Sequence, residues 1–152
     1  MRRKEKEIKS RKEIEEIIDK AQICTIGLCR DNIPYVVPVN FGYKDRAIYF
    51  HSAPEGRKID MIKSNNVVSF QLYCDYSLST KAIPCGWSAN YRSVSGQGRA
   101  IILNRLEDKI GGLDILMSHY AHGPFEYDRQ ELDRMVVVKI LIDRMTGKKS
   151  GY

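Results

Sequence analysis

The chain is 152 residues long, with 43% hydrophobic and 29% charged residues, a balance that buries a core and excludes a disordered composition. Its formal net charge of +6 is compatible with nucleic acid or with a phosphate-bearing ligand. No stretch of about 18 apolar residues exists and none follows the Lys-, Arg- and Glu-rich start, so neither a membrane span nor a secretory leader is expected and the location reads as cytoplasmic.

Ser10 followed by Glu13 is a capping-box pattern, and Ile14, Ile17, Ile18 and Ala21 then recur at helical spacing, which predicts an amphipathic helix over 10–21. Cys24, Ile26 and Leu28 alternate, Arg30-Asp31-Asn32 turns the chain, and Tyr35, Val37, Val39, Phe41 and Tyr43 alternate again, which predicts a hairpin. Lys44-Asp45-Arg46 leads into a third strand, Ala47 to Ser52. After Ala53-Pro54-Glu55-Gly56, a short helix carries Ile59 and Ile62 and stops at Ser64-Asn65-Asn66. Val67 to Cys74 is a fourth strand and Asp75 to Gly86 a loop; Trp87 to Leu103 is one long or bent strand with Gly96 and Gly98 at bulge positions. A helix over about 106–120 and a strand from Met135 to Ile142 complete the series, leaving Thr146-Gly147-Lys148 in a polar, basic tail.

Tight turns between early strands leave no room for crossover helices, so a parallel α/β sheet is disfavoured and a mainly β (α+β) fold is predicted, a six-stranded antiparallel barrel with flanking helices. No Gly-, Ser- or Pro-rich linker interrupts the chain, and one domain over 1–152 is expected. Five of the 25 basic residues lie in Arg2 to Lys9 and three more in Arg144 to Lys149, so frayed, solvated termini account for much of the charge, and no nucleic-acid motif accompanies it.

Pro38 lies inside a strand pattern and has no N–H, so pairing is interrupted on one side. That leaves neighbouring backbone groups for a ligand with its own donors and acceptors, such as an isoalloxazine ring, although an ordinary edge strand with a tolerated proline reads the same way. His51 to Lys58 places a hydroxyl, Ser52, a glycine turn, Gly56, and two cations, Arg57 and Lys58, between a strand end and a helix start. Phosphate suits that combination of outward N–H groups, a bidentate Arg and a Lys charge. The GxxxxGK[ST] spacing of a P-loop is missing, and a solvated Arg-Lys pair is the plainer alternative. Tyr91, Ser93, Ser95 and Gln97 share one strand face that is too polar for a dry core, with Trp87 just before it, which implies a wet or ligand-facing surface or a barrel exterior.

Cys24, Cys29, Cys74 and Cys85 are scattered without a CxxC pair, mostly in apolar stretches, and read as reduced thiols. His119 and His122 have no carboxylate or thiolate fixed nearby by spacing and read as a solvated helix end, so no metal site is expected. GxSxG, HExxH and GxGxxG are absent, which leaves a hydrolytic triad or a dinucleotide-type site without support.

Taken in order, PYVVPVNFGY, IYFHSAPEGRKID, CGWSANYRSVSGQGRA and the terminal TGK resemble the Nim-type 5-nitroimidazole resistance proteins of the pyridoxamine 5′-phosphate oxidase-like, FMN-binding split-barrel group, over about residues 5–148. The resemblance implies a split β-barrel and a homodimer with two flavins in clefts between the subunits, FMN being the expected cofactor and FAD possible. It places His51, Ser52, Arg57 and Lys58 near the flavin phosphate and ribityl chain, Val37, Pro38, Val39 and Asn40 along the ring, and Trp87, Tyr91 and Ser93 near the cofactor or the interface. Where relatives often carry an apolar residue after YRSV, this chain has Ser95-Gly96-Gln97-Gly98, so a stronger bend is expected there.

The function this implies is a flavin-dependent oxidoreductase that takes electrons from a donor and passes them to a nitro group or another small electron-poor substrate. The cofactor does the redox step and the protein orients it, with His51 or Tyr91 as the side chains able to deliver a proton if solvent does not. The alternative from another class is a flavin carrier or a haem-binding protein of the same fold, with His51, His119 or His122 as axial ligands. Pyridoxamine 5′-phosphate oxidation is a third option, which the short chain argues against. Neither a nucleic-acid nor a membrane partner is expected.

Overall fold

The computed structural model describes residues 3–152. Strand β1, Glu7–Ile8, is followed by helix α1, Arg11–Lys20. The capping box works as expected at its first half: the Ser10 hydroxyl accepts the Glu13 N–H at 3.3 Å, and Ile14, Ile17 and Ile18 are buried on the inner face. Strands β2, Cys24–Arg30, and β3, Ile33–Val39, form the first hairpin, with Asp31 and Asn32 at φ 52° and 61°. Positive φ at both central residues gives the turn a twist that matches its flanking strands. The same device recurs at Asp45 and Arg46, φ 49° and 59°, between β4, Gly42–Lys44, and β5, Ala47–Ser52. Then follow α2, Arg57–Ser64; β6, Val67–Ser79; β7, Ser88–Leu103; α3, Leu106–Ser118; α4, Arg129–Asp133; and β8, Val136–Ser150.

The strands do not make the expected six-stranded split barrel. They form one eight-stranded antiparallel sheet in the order β3-β2-β6-β7-β8-β5-β4, with β1 added on β8. The end strands β3 and β4 do not pair with each other, so the sheet keeps two free edges and is not closed. The expected alternating run from Tyr35 to Tyr43 breaks at Asn40-Phe41, because the Phe41 ring is fully buried and its N–H donates to the Tyr120 hydroxyl at 2.9 Å instead of to a neighbouring strand. Strand β1 was not foreseen because two residues are too short to show alternation.

The termini are not frayed either. Glu7 and Ile8 pair with Lys148 and Gly147, and the basic tail is the last third of β8, paired with β7 as far as Tyr91–Ser150; Arg2 lies outside the described residues. The expected loop after Cys74 is partly strand too, since β6 runs on to Ser79 beyond a register shift between Cys74 and Ser77. The expected bulge is present between Gln97 and Gly98 in the pairing with β8.

One face of the sheet packs its β2, β5, β6 and β8 side chains, among them Ile26, Phe50, Phe70, Leu72 and Ile140, against α1 and α2. Each buried Ile or Phe contributes on the order of 1.5–3 kcal/mol by leaving water. Helix α3 joins a smaller cluster of Leu113, Leu132 and Val137. Among the described residues no helix is long and apolar enough to cross a membrane.

Two adjacent glycines in α3 give a direct test of this packing. A methyl added at Gly111 meets nothing within 4 Å, whereas one at Gly112 lies 2.7 Å from the Val137 Cγ1. Gly111→Ala should raise stability by about 0.5–1 kcal/mol through helix propensity. Gly112→Ala should lower it by about 1–3 kcal/mol through overpacking. Thermal unfolding of the two variants, with melting temperatures moving in opposite directions, is the check.

Candidate functional site

The segment after β5 turns at Gly56, φ 110°, a conformation that strains a side-chain-bearing residue, and α2 begins at the next residue. No side chain caps this helix start; the first helical bond runs from the Asp60 N–H to the Gly56 carbonyl, which leaves the N–H groups of the first turn without helical acceptors. Arg57 and Lys58 stand on that turn. The Arg57 guanidinium carbon lies 4.5 Å from the centroid of the Tyr35 ring on β3, and the Lys58 Nζ lies 5.4 Å from that of Phe50 on β5. Among the described residues, neither cation makes an ion pair or a side-chain hydrogen bond, unlike Arg11, Arg92 or Arg105. Burial without an anionic partner lowers the Lys58 pKa below the ordinary lysine value. Two cations over aromatic faces beside unused N–H groups make an electropositive patch suited to a dianionic group.

Other expected site residues lie on the strands that these cations touch. Ser52 is 9% exposed at the end of β5, and His51 beside it is exposed. On β3, Val37 and Val39 share the inward side of Tyr35, with Val39 buried, while Pro38 and Asn40 are exposed. The ladder with β2 runs unbroken past Pro38, which sits opposite Thr25, and the interruption falls on the other side, where β3 is the edge of the sheet. The backbone of β3 therefore has a free edge within the same neighbourhood as Arg57.

The second expected group lies elsewhere. Trp87 precedes β7, half exposed, and donates its indole N–H to the Lys81 carbonyl at 2.8 Å. Tyr91 accepts a hydrogen bond from the Lys148 Nζ at 2.9 Å, and Ser93, 3% exposed, sits opposite Tyr73 and Lys148. Pairing puts Tyr91, Ser93, Ser95 and Gln97 on one face, as alternation predicted, and that face is the outer side of the sheet. There, Thr25, Ser69, Gln71, Ser95 and Arg144 line a hollow of about 580 Å³, and Arg144 donates to the Gln97 side-chain Oε1 at 2.6 Å. None of the described hydrogen bonds, ion pairs or cation–π contacts joins this group to Arg57 and Lys58.

His119 is not a solvated helix end. Its Nε2 lies 2.7 Å from the Ala21 carbonyl and its ring centroid 4.4 Å from that of Phe41, while the neighbouring Tyr120 hydroxyl donates to the Gln22 carbonyl at 2.9 Å. These two residues tie the end of α3 to the start of β2 and to the β3–β4 corner. His122 is exposed. Sequence reasoning missed the contacts of Tyr35 and Phe50 with Arg57 and Lys58 because their strand pattern is that of ordinary core, and nothing in the spacing joins them to α2.

The chain matches the family model described as pyridoxamine 5′-phosphate oxidase over residues 10–149. Among solved structures it is 35% identical to a candidate 5-nitroimidazole antibiotic resistance protein of Bacteroides thetaiotaomicron, over 94% of this chain and 86% of that one, with a TM-score of 0.84. A flavocytochrome of Azotobacter vinelandii, 17% identical over 100% of this chain and 72% of that one at TM-score 0.86, shares the fold. So does an FAD- and haem-binding protein of Mycobacterium smegmatis, 20% identical over 97% and 74% at TM-score 0.85. An uncharacterized protein of Rhizobium meliloti is 34% identical over 65 residues, which span 43% of this chain and 42% of that relative's length.

The four thiols are unpaired and divide by environment. Burial pushes Cys24 up to about 12 and Cys74 up to about 11, whereas Cys29 and Cys85 are exposed. A protonated, buried thiol is a poor nucleophile. A colorimetric thiol reagent at pH 8 should therefore label Cys29 and Cys85 quickly and Cys24 and Cys74 only after unfolding; four fast thiols would mean that the inner face of the sheet is open.

Proposed function

We propose a function from the premise that the chain belongs to the pyridoxamine 5′-phosphate oxidase family: it is a flavin-dependent oxidoreductase acting on a small electron-poor substrate such as a nitroimidazole. The observation that carries this reading is the pair of unpartnered cations, Arg57 and Lys58, at the uncapped start of α2. A phosphate monoester keeps roughly 1.5–2 negative charges at neutral pH and supplies several acceptor oxygens. It satisfies the cations and the first-turn N–H groups together and restores to Lys58 the charge stabilisation that burial removes. The phosphate of FMN is the group this cradle fits, with the Ser52 hydroxyl beside it.

Val37, Pro38, Val39 and Asn40 line the ring along the free edge of β3, where the backbone groups that do not face β2, the Pro38 carbonyl among them, remain available. When bound, the flavin supplies two-electron transfer at its isoalloxazine ring. The chain binds and orients it and limits water on the ring, and His51, exposed at the end of β5, is placed to deliver a proton. The substrate class is supported by the relative of Bacteroides thetaiotaomicron, named for 5-nitroimidazole resistance.

A homodimer completes the site. The outer face and its β6–β7 extension leave Tyr73, Tyr76, Leu78, Ile83 and Trp87 half or more exposed, large apolar side chains for a second copy to cover. Trp87, Tyr91 and Ser93, which do not reach Arg57 within one chain, then contribute to the site of a second copy. Light scattering should give twice 17.5 kDa for the flavin-loaded protein; a flavin-loaded monomer would sink the dimer.

The phosphate reading is tested by comparing ligands. A charge-assisted hydrogen bond is worth about 1.5–3 kcal/mol, on the order of ten- to a hundred-fold in affinity. Arg57→Ala and Lys58→Ala should each weaken FMN binding by that order while leaving riboflavin, which lacks the phosphate, nearly unaffected. Equal weakening of both ligands would place these residues away from the phosphate.

A further inference from the structure

We propose that Tyr35 is a positioning residue that gives the flavin site its preference for a phosphorylated ligand, by holding the Arg57 guanidinium over its ring; this rests on the reading of Arg57 as a phosphate contact. Arg57 is exposed on the first turn of α2 and its long side chain has no carboxylate or carbonyl to order it among the described residues. Its one described side-chain contact is the Tyr35 ring, 4.5 Å away.

That ring is a fixed platform. Tyr35 sits opposite Leu28 in the β2–β3 ladder, packs half-buried against the main core, and uses no described hydrogen bond of its hydroxyl for anything else. At 4.5 Å over the ring the guanidinium carbon is within cation–π range, and no described hydrogen bond or ion pair engages its N–H groups, which in an arginine make paired hydrogen bonds to phosphate oxygens. A pre-ordered fork loses less freedom when the anion arrives.

The other stacked arginine and the lysine on Tyr91 are different in kind. Arg92, over Tyr152, is paired with Asp75 at 3.2 Å, and Lys148, over Tyr91, donates to that residue's hydroxyl. Those cations are already satisfied, whereas Arg57 is oriented and still free to bind. Phe50 serves Lys58 similarly but is fully buried, so its removal would empty the core and report on folding.

The test measures FMN and riboflavin dissociation constants on the full-length apo-protein by flavin fluorescence quenching, for Tyr35→Phe, Tyr35→Leu, Tyr35→Met, Arg57→Ala and the Tyr35→Leu/Arg57→Ala double variant. A cation–π contact at a partly exposed site is worth roughly two- to fivefold in affinity. Tyr35→Leu and Tyr35→Met should weaken FMN by about that factor without changing riboflavin, Tyr35→Phe should match the parent for both ligands, and the double variant should bind FMN no more weakly than Arg57→Ala. Two aliphatic replacements are used so that one that misfolds on melting does not decide the result. If Arg57→Ala selectively weakens FMN while Tyr35→Leu and Tyr35→Met do not, the positioning role is wrong and the phosphate site stands. Equal weakening of both ligands by the Tyr35 variants would also overturn it, since the ring would then be acting on the flavin ring or the fold. Loss of any FMN effect in Arg57→Ala would remove the phosphate site and this role with it.

Discussion

The ladder between β7 and β8 runs from Tyr91–Ser150 to Leu103–Val137, and the position of each functional element is set from it. Strand β8 carries β5 on its other side in register, placing Ser52 opposite Val136 and fixing the point where the chain leaves the sheet to start α2. Strand β7 carries β6, which carries β2 and then β3. The free edge of β3 and the first turn of α2 are therefore delivered from opposite directions of one sheet and meet at Arg57 and Tyr35. A ladder of this length constrains register strongly, because a one-residue slip would turn the whole buried face to solvent. The single concession is the bulge at Gln97–Gly98, where a Cβ on Gly98 would collide with the Leu141 carbonyl.

Charge is distributed unevenly over this frame. Most described arginines are spent in exposed ion pairs such as Arg11–Glu15, Arg105–Glu107 and Arg129–Asp133, each worth little in water. Arg57 and Lys58 are instead left without carboxylates at a place where burial disfavours a bare ammonium. Leaving a partly buried cation unpaired costs stability in the ligand-free chain, and a local loss of that kind is what the proposed anion site requires. The aromatic faces beneath the two cations offset part of that cost and fix their direction.

The end of α3 acts at a distance on the same region. Tyr120 accepts from the Phe41 N–H and donates to the Gln22 carbonyl, while His119 rests on Phe41 and meets the Ala21 carbonyl. Phe41 follows Asn40, so this knot holds the point at which the chain leaves β3. The His119 ring nitrogen is engaged there, which takes it out of the set of groups open to a ligand.

Much of the fold was legible in the amino-acid order because its causes are local. Ser10 and Glu13 marked the start of α1, Arg30-Asp31-Asn32 marked the first hairpin, Lys44-Asp45-Arg46 marked the turn into β5 and β-rich residues marked that strand, and alternation marked β2 and the polar face of Tyr91, Ser93, Ser95 and Gln97. The motif segments likewise led to the right family. The open edges of the sheet, the pairing of β1 with a tail that looked like solvated polar chain, and the break at Phe41 were not legible. Each depends on a partner that is remote in the chain: Gly147 is a strand residue because Ile8 packs over it, and Tyr35 meets Arg57 because α2 returns across it. Periodicity, caps and turn residues act within a few bonds, so the sequence by itself determined the elements and the chemistry they carry. Which edges stay open and which cation lies on which ring are decided by contacts between distant segments, whose free energy appears only when the whole sheet has formed.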